Sequence, residues 1–157
     1  MLYSGKSQGW KIADFGFTCP GSSSFDYSSS KRGTDAYRAP ELLRGGNQFS
    51  RKSDIWALGC ILYEMCMRKK AFMGDWEISD WVTGSANPDI TIPSYEGPDC
   101  RSCARCSHLY AELLVKPNDL EDINGTLTAL LSINASERPL ASDLKTTWEV
   151  WERHESE

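Results

Sequence analysis

Ser53-Asp54-Ile55-Trp56-Ala57-Leu58-Gly59-Cys60-Ile61-Leu62-Tyr63-Glu64-Met65-Cys66-Met67 reads as the strongest helix in this sequence. Ser53 or Asp54 can cap its start. Ile55, Leu58, Leu62 and Met65 recur on one face, and Trp56, Ile61 and Tyr63 widen the apolar surface. So little polar surface remains that the helix is expected to be buried on most sides, with those four residues near zero exposure and Trp56 inside. Its longest apolar run, Ile55 to Tyr63, falls far short of a membrane span. Cys60 and Cys66 are expected to pack as small hydrophobes, and Arg68-Lys69-Lys70 to form a solvated end favoured by the helix dipole.

The neighbouring segments surround this helix with others. Upstream, Pro40-Glu41-Leu42-Leu43-Arg44 followed by Gly45-Gly46 has the proline-first, glycine-after pattern of a short helix. Downstream, helices are expected from Asp75 to Val82 with Gly84 as the stop, from about Ser102 to Val115, and from about Asp119 to Ile133. The last runs from Leu140 to Arg153, with Leu144, Trp148 and Trp151 inward. Pro88, Pro93 and Pro98 make residues 85–99 an extended loop. At the front, Leu2-Tyr3, a Ser-Gly-Lys-Ser-Gln-Gly turn and Trp10-Lys11-Ile12-Ala13 read as a two-stranded ribbon. Cys19-Pro20-Gly21-Ser22-Ser23-Ser24 and Ser28-Ser29-Ser30 have the chemistry of a loop, with nothing apolar enough to tie it to a core. The fold class is mainly α with a short N-terminal β-ribbon.

Composition narrows the function. The chain has 157 residues, 40% hydrophobic and 25% charged, which suits one globular domain and excludes a disordered one. Its 17 Lys+Arg against 22 Asp+Glu give a net charge of −5, which argues against nucleic acid or an anionic membrane as the partner. Met1-Leu2-Tyr3-Ser4 lacks the basic and apolar regions of a signal peptide, so an intracellular setting, cytoplasmic or nuclear, and reduced cysteines are expected. Asn124-Gly125-Thr126 and Asn134-Ala135-Ser136 are then chance matches to the glycosylation triplet.

Four landmarks occur in a telling order. Lys11-Ile12-Ala13-Asp14-Phe15-Gly16 comes first, then Gly33-Thr34-Asp35-Ala36-Tyr37 leading into Ala39-Pro40-Glu41. Ser53-Asp54-Ile55-Trp56-Ala57-Leu58-Gly59 follows, and Glu137-Arg138-Pro139 lies near the end. Together they resemble the C-terminal lobe of a eukaryotic protein kinase of the Ser/Thr type, over roughly residues 2–152. The resemblance implies a partial kinase domain over 1–157, with an activation segment at about 14–41 and the central helix at about 53–67.

What the resemblance implies can be stated residue by residue. Asp14 matches the aspartate that holds the Mg²⁺ of Mg-ATP, an acidic oxygen ligand for a hard cation. Thr34 matches the substrate-side threonine of Ser/Thr kinases, and Ser28, Ser29, Ser30 and Thr34 are candidate phosphosites. Glu41 and Arg138, far apart in the chain, are expected to form a buried ion pair. Asp54 resembles the residue that anchors the catalytic loop, or it is a plain N-cap; Trp56 follows it as a structural residue.

The catalytic set itself is expected to be absent. No Gly-x-Gly-x-x-Gly and no His-Arg-Asp occurs; the histidines are His108 and His154. The resemblance therefore implies a chain that begins just after the catalytic loop, with an exposed apolar patch near Leu2, Ile12 and the central helix. The function read here is phosphoryl transfer from ATP to Ser/Thr of protein substrates by the complete domain, with this chain alone inactive. The alternative is a non-catalytic, protein-binding C-lobe. Cys100, Cys103, Cys106 and His108 stand in one dense run, part of an insertion at about 99–108. Zinc ligands usually come as two separated pairs, so reduced thiols are expected there rather than a zinc site.

Overall fold

In the computed structural model the described residues are 2–4, 9–11, 13, 26–27, 33–44, 48–92 and 119–144. The expected front ribbon is present: β1 (Leu2–Ser4) pairs antiparallel with β2 (Gly9–Lys11), with Tyr3 opposite Trp10. A second small ribbon was not expected. β3 (Asp26–Tyr27) pairs antiparallel with β4 (Gln48–Phe49), so residues 26–27 of the serine-rich segment are extended and their backbone is paired. Between them lies α1 (Pro40–Leu43), with proline at its first position as its sequence implied.

The central helix, α2 (Arg51–Met67), starts earlier than the sequence suggested. Ser50, not Ser53 or Asp54, is the N-cap: its hydroxyl accepts the Lys52 N–H at 3.2 Å, while the Ser53 hydroxyl accepts the Ser50 N–H at 3.2 Å. Ser53 thus serves as the returning half of a capping box. The inward face also differs from the expected one. Ile55 is buried, but Leu58, Leu62 and Met65 are only half-buried. The innermost row is Trp56, Cys60, Tyr63 and Met67. A helix apolar on nearly every side gives its periodicity no face to choose, and the neighbouring elements choose instead.

Those neighbours are α3 (Asp75–Thr83), ended by Gly84 at φ 76°, and α4 (Asp119–Leu130), which stops three residues short of the expected Ile133. From α4, Ile123, Leu127 and Leu130 turn inward at helical spacing, and Leu131, just past its end, joins them. Phe72 stacks on Trp56 at 5.6 Å between centroids, and Trp81 closes a triangle with both, at 5.9 Å from Trp56 and 5.6 Å from Phe72. Losing an indole from such a centre typically costs about 3–5 kcal/mol. Gly59 lets α4 approach α2 closely: a methyl group there would sit 2.8 Å from Leu131 Cδ2 and 2.9 Å from Leu130 Cβ.

Residues 85–92 carry no regular structure, as the prolines implied, and Asn124 pins them down. Its amide takes the Ile92 N–H on Oδ1 and donates from Nδ2 to the Ile92 carbonyl, both at 2.8 Å. That Asn124 is the acceptor asparagine of a glycosylation triplet, and its amide is already committed inside the fold. Residues 141–144 are helical with Leu144 buried; Trp148 and Trp151 lie outside the described residues, as does the expected helix at 102–115. So do the side chains of Leu2 and Ile12, where an apolar patch was expected. Cys60 and Cys66 are buried free thiols, as expected. Arg68, Lys69 and Lys70 are exposed, but two of them do more than meet water: Lys69 Nζ lies over the Tyr63 ring and Lys70 Nζ over the Tyr37 ring, each at 5.7 Å from the centroid. Among the described residues, no helix is long and apolar enough to cross a membrane.

Candidate functional site

The segment from Gly33 to Glu41 is fastened at three points to elements distant in sequence. The first is the turn at its start. Tyr37 N–H closes on the Thr34 carbonyl at 3.1 Å, and Ala36 takes the left-handed conformation, φ 71°, which side chains other than glycine's rarely adopt. Two carboxylates hold that conformation. The Ala36 N–H is shared between Asp35 Oδ1 at 3.0 Å and Asp75 Oδ1 at 3.2 Å, and the Asp75 N–H returns to Asp35 Oδ1 at 2.8 Å. Arg38 pairs with the remaining oxygen of Asp75. The backbone N–H of Asp75, ahead of the other contacts, holds the Asp35 carboxyl below its ordinary value. Thr34 itself is exposed at the head of this turn.

The second point is Tyr37, whose hydroxyl donates to Glu64 of α2. Burial, and then the Glu64 carboxylate, push the phenol up to about 12, so it stays a donor. Sequence reasoning missed this bond. The available signal was Glu64 itself, a single carboxylate set among apolar residues in the body of a buried helix.

The third point is the pair expected from the landmarks. Glu41 and Arg138, 97 positions apart, meet bidentately: Nη1 to Oε1 at 2.9 Å and Nη2 to Oε2 at 2.8 Å. The Arg138 side chain is fully buried, and all five of its N–H donors have acceptors. Besides Glu41 these are the carbonyls of Lys52 at 2.9 Å, Ser132 at 2.8 Å and Ile133 at 3.4 Å. Ser53 adds its hydroxyl to Glu41 at 3.0 Å, tying the capping box of α2 to the pair. Burial raises the Glu41 carboxyl, but the Arg138 and Ser53 hydrogen bonds and the Arg138 charge outweigh it, and the net effect is downward. A buried ion pair is worth having only when its desolvation is compensated this fully.

The remaining candidates divide. Asp54 stands exposed in the first turn of α2, where its charge suits the helix N-terminus. Trp56 is fully buried under the Arg138 guanidinium. Asp14, Ser28, Ser29 and Ser30 lie outside the described residues, as do Cys100, Cys103, Cys106 and His108. Among the described residues, no group of three or more His, Cys, Asp or Glu side chains is placed to hold a metal ion. Among the described residues, the arrangement positions a backbone segment. It presents an exposed turn around Thr34 and braces it through Tyr37, Asp75 and Glu41.

Comparison with known proteins gives this architecture its relatives. Residues 1–147 match the family described as protein kinase domain. Over 71 residues the chain is 38% identical to the G2-specific protein kinase nim-1 of Neurospora crassa, covering 45% of this chain and 8% of that protein. It is 45% identical over 64 residues to the serine/threonine-protein kinase Nek11 of Homo sapiens, covering 41% of this chain and 10% of the relative. Cyclin-dependent kinase-like 2 of Oryctolagus cuniculus is 42% identical over 72 residues, covering 43% and 12% respectively. The aligned stretches are thus a small part of each relative's length.

Proposed function

The chain belongs to the protein kinase family, and from that premise we propose that it forms the C-terminal lobe of a serine/threonine kinase domain. In complete form that domain would transfer the γ-phosphoryl group of ATP to Ser or Thr hydroxyls of protein substrates. The observation that carries the reading is the bidentate Glu41–Arg138 pair, which joins the Ala-Pro-Glu landmark to the Glu-Arg-Pro landmark and so fixes the Thr34 turn against α2. Recognition of a substrate hydroxyl needs a segment held in one geometry, and three separate anchors hold this one.

Bound Mg-ATP would supply the transferable group and neutralise charge on the phosphates, and Asp14 is the residue of this chain that would hold the metal. The exposed Thr34 would face the substrate, and Ser28, Ser29 and Ser30 would be where phosphorylation regulates the segment at about 14–41. The 157 residues contain neither a His-Arg-Asp nor a Gly-x-Gly-x-x-Gly sequence, so they would not transfer phosphate by themselves.

The test has two arms. Purified 1–157 should label no Ser/Thr substrate above an Asp14→Ala control. The same residues joined to the N-lobe and catalytic loop of an active serine/threonine kinase should label it, and Asp14→Ala should abolish that labelling. A folded chimera that stays inactive, or labelling by 1–157 alone, would overturn the reading.

A further inference from the structure

Two large apolar side chains stand in the open beside the Thr34 turn. Met73 is 71% exposed and Trp76 is 64% exposed, whereas Tyr37, Phe49, Trp56, Tyr63, Phe72 and Trp81 are buried or half-buried. Gly74 lies between them and explains their placement. A methyl group on Gly74 would come within 2.9 Å of Trp76 Cδ1 and Nε1 and within 3.5 Å of Asp35 Oδ2, so the indole and a carboxylate oxygen converge on one backbone atom. Asp35 Oδ1 is occupied by the Ala36 and Asp75 N–H groups, while Oδ2 accepts no hydrogen bond among the described residues.

Helix α3 carries one sign of charge. The nine residues of α3 include Asp75, Glu77 and Asp80 and no basic residue. Asp80 follows Trp76 by one helical turn and shares its face. Arg38 pairs with Asp75 and its charge also acts on Asp35, while Glu77 receives the Met73 N–H at 2.7 Å. Lys69 and Lys70, the next cations along the chain, lie over the rings of Tyr63 and Tyr37. Among the described residues, Asp35 and the three carboxylates of α3 outnumber Arg38 around the exposed indole, so its flank is net negative.

We propose that Met73, Trp76 and Asp35 form a docking site for an arginine-bearing segment of a partner protein. Arginine alone among the side chains offers what this surface complements: an apolar stem for Met73, a planar cation to stack on the indole, and forked donors for a carboxylate. An acidic segment is repelled, and lysine forfeits the stacking and the fork. Since Asp35 adjoins Thr34, the occupant is the protein substrate; that identification rests on the kinase reading above, whereas the binding itself does not.

The test is fluorescence anisotropy of labelled peptides with the 157-residue chain, without ATP. An eight-residue Arg/Ser peptide should bind, its Lys/Ser counterpart should bind several-fold more weakly, and a Glu/Ser peptide should not bind. Trp76→Ala should weaken the arginine peptide about tenfold, and Trp76→Phe, which keeps a ring, should weaken it less. Asp35→Asn keeps an oxygen for the two N–H groups and removes the charge, and it should also weaken binding and flatten its salt dependence. No binding of the arginine peptide, equal binding of the lysine peptide, or affinity unchanged in both Trp76→Ala and Asp35→Asn would overturn the proposal. Phosphate transfer enters none of these measurements, so an inactive chimera that still binds arginine through Trp76 would sink the kinase reading and leave this site standing.

Discussion

The guanidinium carbon of Arg138 lies 5.1 Å from the centroid of the Trp56 ring, with both residues almost wholly buried. The planar cation is thus used twice, edge-on to Glu41 and three carbonyls and face-on to the indole. An ammonium group keeps the charge but neither the fork nor the plane. Arg138→Lys should therefore lose about 3–5 kcal/mol of stability by urea denaturation, close to the loss from Arg138→Ala. A loss under about 1 kcal/mol would show that charge alone suffices.

Acid should act through Glu41. Its carboxyl lies below the ordinary 4.5 in the folded chain. At pH values between the folded and unfolded positions, the unfolded state binds the proton and the folded state does not, so stability rises with pH. The contribution is fully present above the ordinary carboxylate range and is lost as pH falls through the folded value. Glu41→Gln should lower stability at pH 7 and make stability less steeply dependent on pH below 5, as followed by thermal melts.

Alkali should act through three groups of opposite behaviour. Burial pushes the Tyr37 phenol and the Cys60 thiol up to about 12 and the Cys66 thiol up to about 11. Each stays protonated in the fold at pH values where the unfolded chain has released its proton. Their stabilising effect is complete below about pH 8.5 and is lost as pH rises toward 12. Melting temperature should fall across that window, and alkylation mapped by peptide mass should leave Cys60 and Cys66 unmodified at pH 8 until denaturant is added.

Gly59→Ala should destabilise the chain although alanine is the better helix former. The propensity gain is about 1 kcal/mol. Against it stands a methyl group at 2.8 Å from Leu131 and 2.9 Å from Leu130, and overpacking of that kind costs about 1–3 kcal/mol. Pairing the change with Leu131→Ala should recover part of the loss, measured as a coupling energy in a double-mutant cycle.

The elements and the long-range ion pair could be read from the sequence for different reasons. Pro40, Gly84 and the run from Ile55 to Tyr63 announce helices by local chemistry, and Glu41 and Arg138 sit in landmarks whose order identifies them. The inward face of α2 could not be read, because nearly every position is apolar and the choice falls to Phe72, Ile92, Leu127 and Leu131. Nor could the Asp35–Ala36–Asp75 cluster. It joins backbone N–H groups to short carboxylates about 40 positions away, and backbone donors leave no trace in side-chain patterns. Asp14 and the cysteine run were the most chemically suggestive residues, and they fall outside the described ones.

The Ala36 amide divided between Asp35 and Asp75 has a mechanical meaning. Two short side chains and two peptide groups, backed by the Arg38–Asp75 pair, lock the first turn of α3 to the turn after Thr34. The two therefore form one stiff part, set into the core by Ile78 below and by Tyr37 and Glu64 beside it. A load applied to the exposed end of α3 has no slack to take up before it reaches Thr34. It must either be carried rigidly or break the bonds that hold Ala36 in its left-handed conformation, and the strain released there would favour the second course once the first bond had gone.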